Sequence, residues 1–228
     1  IGVTNQRAST IVWDRATGEP VGPGIGWQDL RTIGECLTWR AEGLRFAPNQ
    51  SATKLAWLLD QHDPDRSRDL CMGTVDTWVI WTLAEGGCHV TDLSNAAVTG
   101  LVDLDGADWD DRVLAALRIP RRCLPSIVDS SGEVGPATAL GGIPITGIAG
   151  DQQASLLGQG CVRPGVAKIT FGTGAMLDVV VGDRRPAFET RGEGGTFPIV
   201  AWRLGRSVTW GLEAIMLAAG TNVEWLRA

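Results

Sequence analysis

The residues with the clearest chemical potential lie in Gly147-Ile148-Ala149-Gly150-Asp151-Gln152-Gln153. One carboxylate, Asp151, stands there at the end of an apolar run, between glycines and the polar start of a helix. Ile143, Ile145 and Ile148 read as a buried strand, and Gln152, Gln153, Ala154, Leu156 and Leu157 read as the helix that follows. Open α/β sheets bind ligands at such strand-to-helix junctions. Further on, Thr170-Phe171-Gly172-Thr173-Gly174 forms a small-residue turn between two apolar runs, and such a turn can bring backbone N–H groups close to phosphate oxygens. A carboxylate base with a phosphate-cradling turn points to phosphoryl transfer to a hydroxyl. Both features also have plainer uses. A Gly-Asp pair at a strand end serves as a helix cap or turn, and Gly-Thr-Gly closes ordinary hairpins. These residues alone leave both readings open.

The rest of the composition narrows the partners. The chain has 228 residues, enough for one large domain or two smaller ones. Its net charge is −6 and no basic cluster runs along it, which argues against nucleic acid and against an anionic membrane surface. No apolar run approaches the ~20 residues that span a bilayer. Cys36, Cys71, Cys88, Cys123 and Cys161 include no C-x-x-C pair. A zinc site or a disulfide framework is not indicated, and reduced thiols in a cytoplasm are expected. Cys88-His89 lacks further ligands at metal spacing. Ile1-Gly2-Val3 reads as the inside of a strand and no initiator Met precedes it, so part of a longer chain is expected.

The elements that must position Asp151 follow from periodicity. Ile1 to Val3 and Thr10 to Trp13 read as strands, with a turn over Asp14 to Gly18. Asp29 to Glu42 reads as a helix whose apolar face carries Leu30, Ile33, Leu37 and Ala41. Ser51 to Asp60 reads as a second helix opened by a Ser cap, and Gly73 to Ala84 as a third, with Trp78 and Trp81 in the core. A short helix is expected over Asp110 to Leu117. Beyond Gly158 to Gly165, where a domain boundary fits, alternation predicts strands over Val166 to Phe171, Met176 to Val181, Phe197 to Trp202 and Val208 to Trp210. Gly192 to Gly195 reads as a flexible loop. The last element expected is a helix over Leu212 to Arg227 that buries Ile215, Ala218, Ala219, Val223 and Leu226.

Taken together, the short motifs resemble the FGGY carbohydrate kinases, most closely the glycerol-kinase branch. They are Thr4-Asn5-Gln6-Arg7, Ile11-Val12-Trp13-Asp14, Trp27-Gln28-Asp29 with Arg31-Thr32, Ser51-Ala52-Thr53-Lys54 with Trp57 to Asp60, and Gly73-Thr74-Val75-Asp76-Thr77-Trp78. They continue through His89-Val90-Thr91-Asp92 with Asn95-Ala96, Asp108-Trp109-Asp110-Asp111, Ile148 to Gln153, Phe171-Gly172-Thr173-Gly174 and Trp225-Leu226-Arg227. The resemblance implies an α/β chain of the actin-like, ribonuclease H-like ATPase fold, with two domains around a cleft and both incomplete. Residues 1–158 would be most of the N-terminal, sugar- or polyol-binding domain, and 159–228 the start of the C-terminal, nucleotide-binding one. It implies ATP and Mg²⁺, a small polyol or sugar as partner, and homo-oligomers as found in the family. The family's first phosphate hairpin would precede Ile1, and most of its adenosine site would follow Ala228.

By the same resemblance, Asp151 is the catalytic base and a metal contact. Arg7 holds substrate hydroxyls with its fork of donors, Trp27 walls the carbon edge, and Gln152 is a further hydroxyl contact. Gly172, Thr173 and Gly174 cradle phosphate. The chain departs from glycerol kinases at the pocket: Ala8 stands where they carry Glu, Asn49 and Gln50 where they carry Tyr-Phe, and Met176 where they carry Phe. Losing an acceptor and two rings predicts an acceptor alcohol other than glycerol, and a larger one. The alternative is a catalytically silent relative that binds ligand or regulates.

Overall fold

A computed structural model of the chain describes residues 1–172, 174–188, 194–216 and 218–227. They form two compact units, Ile1–Gly150 and Asp151–Ala228.

The first unit runs β1 (Gly2–Asn5), β2 (Ile11–Asp14), α1 (Ile33–Ala41), α2 (Ala52–His62), β3 (Leu70–Gly73), α3 (Val75–Leu83), β4 (Val90–Asp92), α4 (Leu93–Ala96), β5 (Val102–Asp103), β6 (Asp108–Trp109), α5 (Asp111–Ala116), β7 (Ser126–Val128), β8 (Ser131–Ala137) and β9 (Ile143–Gly150). β1 lies parallel to β9 in the register Val3↔Ile148 and Asn5↔Gly150, and β8 flanks β9 antiparallel. β2 pairs with β3 and β4 with β7. Two cores hold these pairs. Ile145 and Ile148 pack with Ile80 and Ala137. The spacing of Leu55, Leu58 and Leu59 puts one apolar face of α2 against Val12, Leu70, Met72, Val113 and Leu114. Trp13 is fully buried edge-to-face against Trp78 and Trp81, as the tryptophan spacing predicts. Gly73 ends β3 because a Cβ there would lie 2.5 Å from Thr77 Cβ and 2.9 Å from Trp13.

The second unit opens with α6 (Asp151–Gly158), followed by β10 (Ala167–Phe171), β11 (Ala175–Gly182), β12 (Thr196–Leu204), β13 (Ser207–Met216) and α7 (Gly220–Arg227). The four strands form an antiparallel sheet in the order β10-β11-β13-β12. Leu156 of α6 packs with Cys161, Val180 and Ala201, and Gln153 Nε2 donates to Val200 O at 3.0 Å.

Several elements differ from the sequence reading. β3 and β8 carry no apolar alternation, and periodicity missed both. α1 starts at Ile33, because Asp29 Oδ1 accepts Arg31 N and holds that segment as a turn. It buries Cys36, while Leu30, Ile33 and Leu37 are exposed. Ser51 makes no cap bond, since its hydroxyl donates to Ala8 O at 3.1 Å. Leu212 to Met216 are strand rather than helix. All five pair with β11, and Leu212 to Ala214 pair with β12 as well, which an apolar run of that length could not reveal. The final helix therefore starts at Gly220 and leaves Val223 and Leu226 exposed. In the loop expected over Gly192 to Gly195, Gly192 and Glu193 lie outside the described residues.

Candidate active site

Parallel pairing brings the ends of β1 and β9 level. Gln6-Arg7-Ala8 follows one strand, and Asp151 is the next residue after the other. Two buried carboxylates fasten these ends. Asn5 Nδ2 donates to Asp76 Oδ1 at 3.3 Å, and the same carboxylate accepts the hydroxyls of Thr74 and Thr91. Burial pushes the Asp76 carboxyl up to about 6, against the pull of those hydroxyls. Asp92 accepts Ser94 N and Oγ, Asn95 N and Nδ2, and Ser130 Oγ, at 2.7–3.1 Å. Ser94 Oγ in turn accepts Gly150 N at 3.1 Å. Burial also raises the Asp92 carboxyl, and its donors oppose that shift. The last peptide before Asp151 is thus hydrogen-bonded through Ser94 to a buried carboxylate.

The predicted substrate residues Arg7, Ala8 and Trp27 converge in the first unit. Ser9 Oγ receives Gln6 Nε2 at 3.2 Å and Trp27 N at 3.3 Å, so the Arg7 loop and the Trp27 loop share one hydroxyl. Arg7 is partly buried, with Nη1 shielded from solvent. Ala8 is buried at φ +64, a left-handed conformation that is strained for a residue with a Cβ. Its carbonyl accepts Ser51 Oγ and, at 3.3 Å, Thr10 Oγ1. The first of these bonds brings the Asn49 loop to the same neighbourhood, with Asn49 itself exposed. Gln50 Oε1 accepts Ala47 N at 2.8 Å. Trp27 is partly buried, and its carbonyl and that of Gly26 accept Lys54 Nζ at 3.0 and 2.9 Å. Burial lowers the Lys54 pKa, and the Asp29 charge resists that. Arg31 pairs with Asp29 and stacks over Trp57 at 5.0 Å; hydrogen bonding to Arg31 holds the Asp29 carboxyl down at about 2.

In the second unit Asp151 is exposed at the start of α6, where its Oδ1 accepts Gln152 N at 2.8 Å. Gln152 is buried and its Oε1 accepts Lys168 Nζ. The turn over Gly172 and Gly174 joins β10 to β11. Gly172 N donates to Gly174 O at 2.7 Å, and Gly172 O accepts Gly220 N at 2.9 Å. Thr173 lies outside the described residues. Met176 is partly buried and pairs with Thr170, on the sheet face that also carries Asp178 and Val180.

Sequence reasoning gave no role to Lys54, Lys168, Asp76, Asp92 or Asp178. One signal was available. Lys54 and Lys168 are the only lysines among 20 Lys and Arg residues, and both are buried. Lysine is almost never fully buried unless it is paired.

The chain matches the N-terminal domain of the FGGY family of carbohydrate kinases over residues 1–158. It is 46% identical to a glycerol kinase of Alkalilimnicola ehrlichii and 44% identical to one of Halorhodospira halophila, in each case over 100% of this chain and 48% of the relative. The chain therefore spans about half the length of the curated relatives it matches. Among solved structures, it is similar to the glycerol kinase of Plasmodium falciparum with ADP (TM-score 0.88, 30% identity, 99% of this chain and 48% of that one). A xylulose kinase of Rhodospirillum rubrum matches at TM-score 0.83 and 22% identity over 99% and 48% of the two chains, a likeness of fold alone. The fold is α/β of the actin-like ATPase class. The chain belongs to the FGGY family of carbohydrate kinases.

Proposed function

We propose that the protein transfers the γ-phosphoryl group of ATP to a hydroxyl of a polyol or sugar in the cytoplasm, with residues 1–158 in the acceptor-binding domain and 159–228 opening the nucleotide-binding one. The observation that carries this is Asp151, an exposed carboxylate at the C-terminal end of a strand in a chain of this family. In this reading Asp151 orients the acceptor hydroxyl and takes its proton late in the transfer. Arg7 binds hydroxyl oxygens and Trp27 shields the carbon edge. The turn over Gly172, Thr173 and Gly174 offers backbone N–H groups to phosphate.

Asp151 is the residue that would hold Mg²⁺, as a single protein carboxylate beside substrate phosphates. No group of three His, Cys, Asp or Glu residues able to hold a metal stands together among the described residues, and a magnesium ion needs no such cage. When bound, Mg²⁺ offsets charge on the transferring phosphoryl oxygens.

We further propose that the acceptor is larger than glycerol. Ala8 offers a buried methyl where glycerol kinases carry a carboxylate, and Asn49 and Met176 replace rings. A hydroxyl left without its acceptor loses on the order of 1–3 kcal/mol. The test is ATP consumption by the full-length protein against triols, tetritols, pentitols and ketoses. A tetritol, pentitol or ketose as best substrate is expected. Glycerol as best substrate refutes the pocket reading, and no ATP-dependent transfer to any alcohol refutes the kinase reading in favour of a silent relative.

A further inference from the structure

Lys168 is fully enclosed in the second unit, on β10, and its ammonium has three partners. Asp178 Oδ2 of β11 lies at 2.8 Å with both side chains at 0% exposure, Thr170 Oγ1 lies at 2.8 Å, and the third partner is Gln152 Oε1. The partners fall on two parts of the proposed chemistry. Gln152 is the residue after Asp151. Thr170 and Asp178 stand on the two strands whose connecting turn carries Gly172 and Gly174, in the register Lys168↔Asp178 and Thr170↔Met176. Asp178 is also opposite Glu213 on β13, so the buried row holds one cation and two carboxylates.

A buried ion pair by itself is weak evidence of a stabilising role, because desolvating two charges offsets most of their attraction. An ammonium has three donors. One of them, to Asp178, ties β10 to β11, and one is spent on Thr170 within β10; the third reaches another element, and it lands at the first turn of α6. We propose that Lys168 is a positioning residue: through Gln152 Oε1 it holds the start of α6, and with it Asp151, in fixed geometry against the hairpin that carries the phosphate-binding turn. This inference rests on the kinase reading for its catalytic consequence, while the coupling itself is a property of the second unit. It also gives Gln152 an internal partner, so that residue links the hairpin to the base instead of serving only as a hydroxyl contact.

The test compares Lys168→Met, Asp178→Asn and the double variant Lys168→Met with Asp178→Leu in the full-length protein. The double variant replaces the pair by apolar groups, a change that is often neutral or stabilising, and so separates the coupling from the burial of a lone charge. Amide hydrogen exchange over 151–153 and over 170–176 is read beside kcat and the acceptor KM. In the double variant we expect exchange at both segments to rise at least about 10-fold and kcat to fall on the order of 10-fold, with acceptor KM within about 2-fold. Asp178→Asn keeps the ammonium on Gln152 and is expected to leave exchange over 151–153 unchanged. Exchange in the double variant matching the wild type overturns the proposal. So does a loss confined to acceptor KM, or equal loosening of 151–153 in Asp178→Asn. A wild-type protein that phosphorylates no alcohol refutes the kinase reading alone, and the exchange comparison then still decides the coupling.

Discussion

Acidification should destabilise this fold through His89. The ring lies edge-on to Trp13 and Trp81, with centroids 5.4 and 5.6 Å away, and its Nε2 is 2.8 Å from Met72 O. A carbonyl can only accept, so the ring donates Nε2–H. Burial lowers the pKa to about 4, although the Met72 bond opposes the shift. In the unfolded chain the value returns to about 6.5. The unfolded form therefore binds the proton first, and stability present above pH 6.5 is lost as pH falls toward 4. Between pH 6.5 and pH 5 the loss is about 1.5 units at about 1.4 kcal/mol each, or about 2 kcal/mol. Asp76 acts in the other direction. Its carboxyl is raised to about 6 by burial, so it protonates first in the folded state and returns about 1 kcal/mol between pH 6 and pH 5. The two are separated by His89→Gln, whose amide can still donate to Met72 O but does not titrate. Urea unfolding followed by tryptophan fluorescence at pH 8, 6.5 and 5 should show the stability gap between wild type and variant shifting by about 2 kcal/mol. A gap constant to within about 0.5 kcal/mol across that range refutes the argument.

Three further outcomes test the site. Asp151→Asn should leave acceptor KM within a few fold while kcat falls on the order of 10²-fold or more in steady-state assays, and an unchanged kcat removes Asp151 from the mechanism. Ser94→Ala leaves the buried Gly150 N–H without its acceptor, so urea unfolding should show a loss of about 1–3 kcal/mol. Lys54→Met releases the Gly26 and Trp27 carbonyls and should raise acceptor KM by more than it lowers kcat; equal effects on both would argue against a role in holding Trp27.

The reach of the sequence follows from what each element buries. β1, β2, β9, β11 and β12 were legible from apolar spacing; β10 was legible as a strand too, although its alternation turns Ile169 and Phe171 outward and buries Lys168. β8 has the sequence Ser-Gly-Glu-Val-Gly-Pro-Ala, which carries no such pattern; it exists because β9 offers it a partner. Periodicity put Leu30, Ile33 and Leu37 on a buried face, but Leu30 lies in the turn before α1, Ile33 and Leu37 are exposed, and the helix buries Cys36 instead. Asp151 and the glycine turn stood out as candidates from their residue types, which left both readings open, and Arg7 entered only through the resemblance. The fasteners were not. A buried Asp76 or Asp92 differs from a surface one only by its surroundings, and those come from segments distant in the chain.

The same division between groups that fasten and groups that face a ligand explains how the pocket can change while the loop does not. Ala8 is held by its backbone: its carbonyl takes the Ser51 and Thr10 hydroxyls, and its φ of +64 is fixed by the loop. No side-chain bond from this position fastens anything, so in the proposed pocket a methyl in place of a carboxylate would change what the acceptor meets without loosening the strand end. Ala8→Glu should then be tolerated, with the strain of a left-handed Cβ residue the same before and after. It restores a charged acceptor for a hydroxyl, worth on the order of 10-fold in kcat/KM for glycerol relative to the best larger alcohol. Measuring both kcat/KM values alongside the thermal midpoint separates the two contributions. If the ratio stays fixed while the midpoint holds, position 8 does not face the acceptor, and the specificity argument built on it fails.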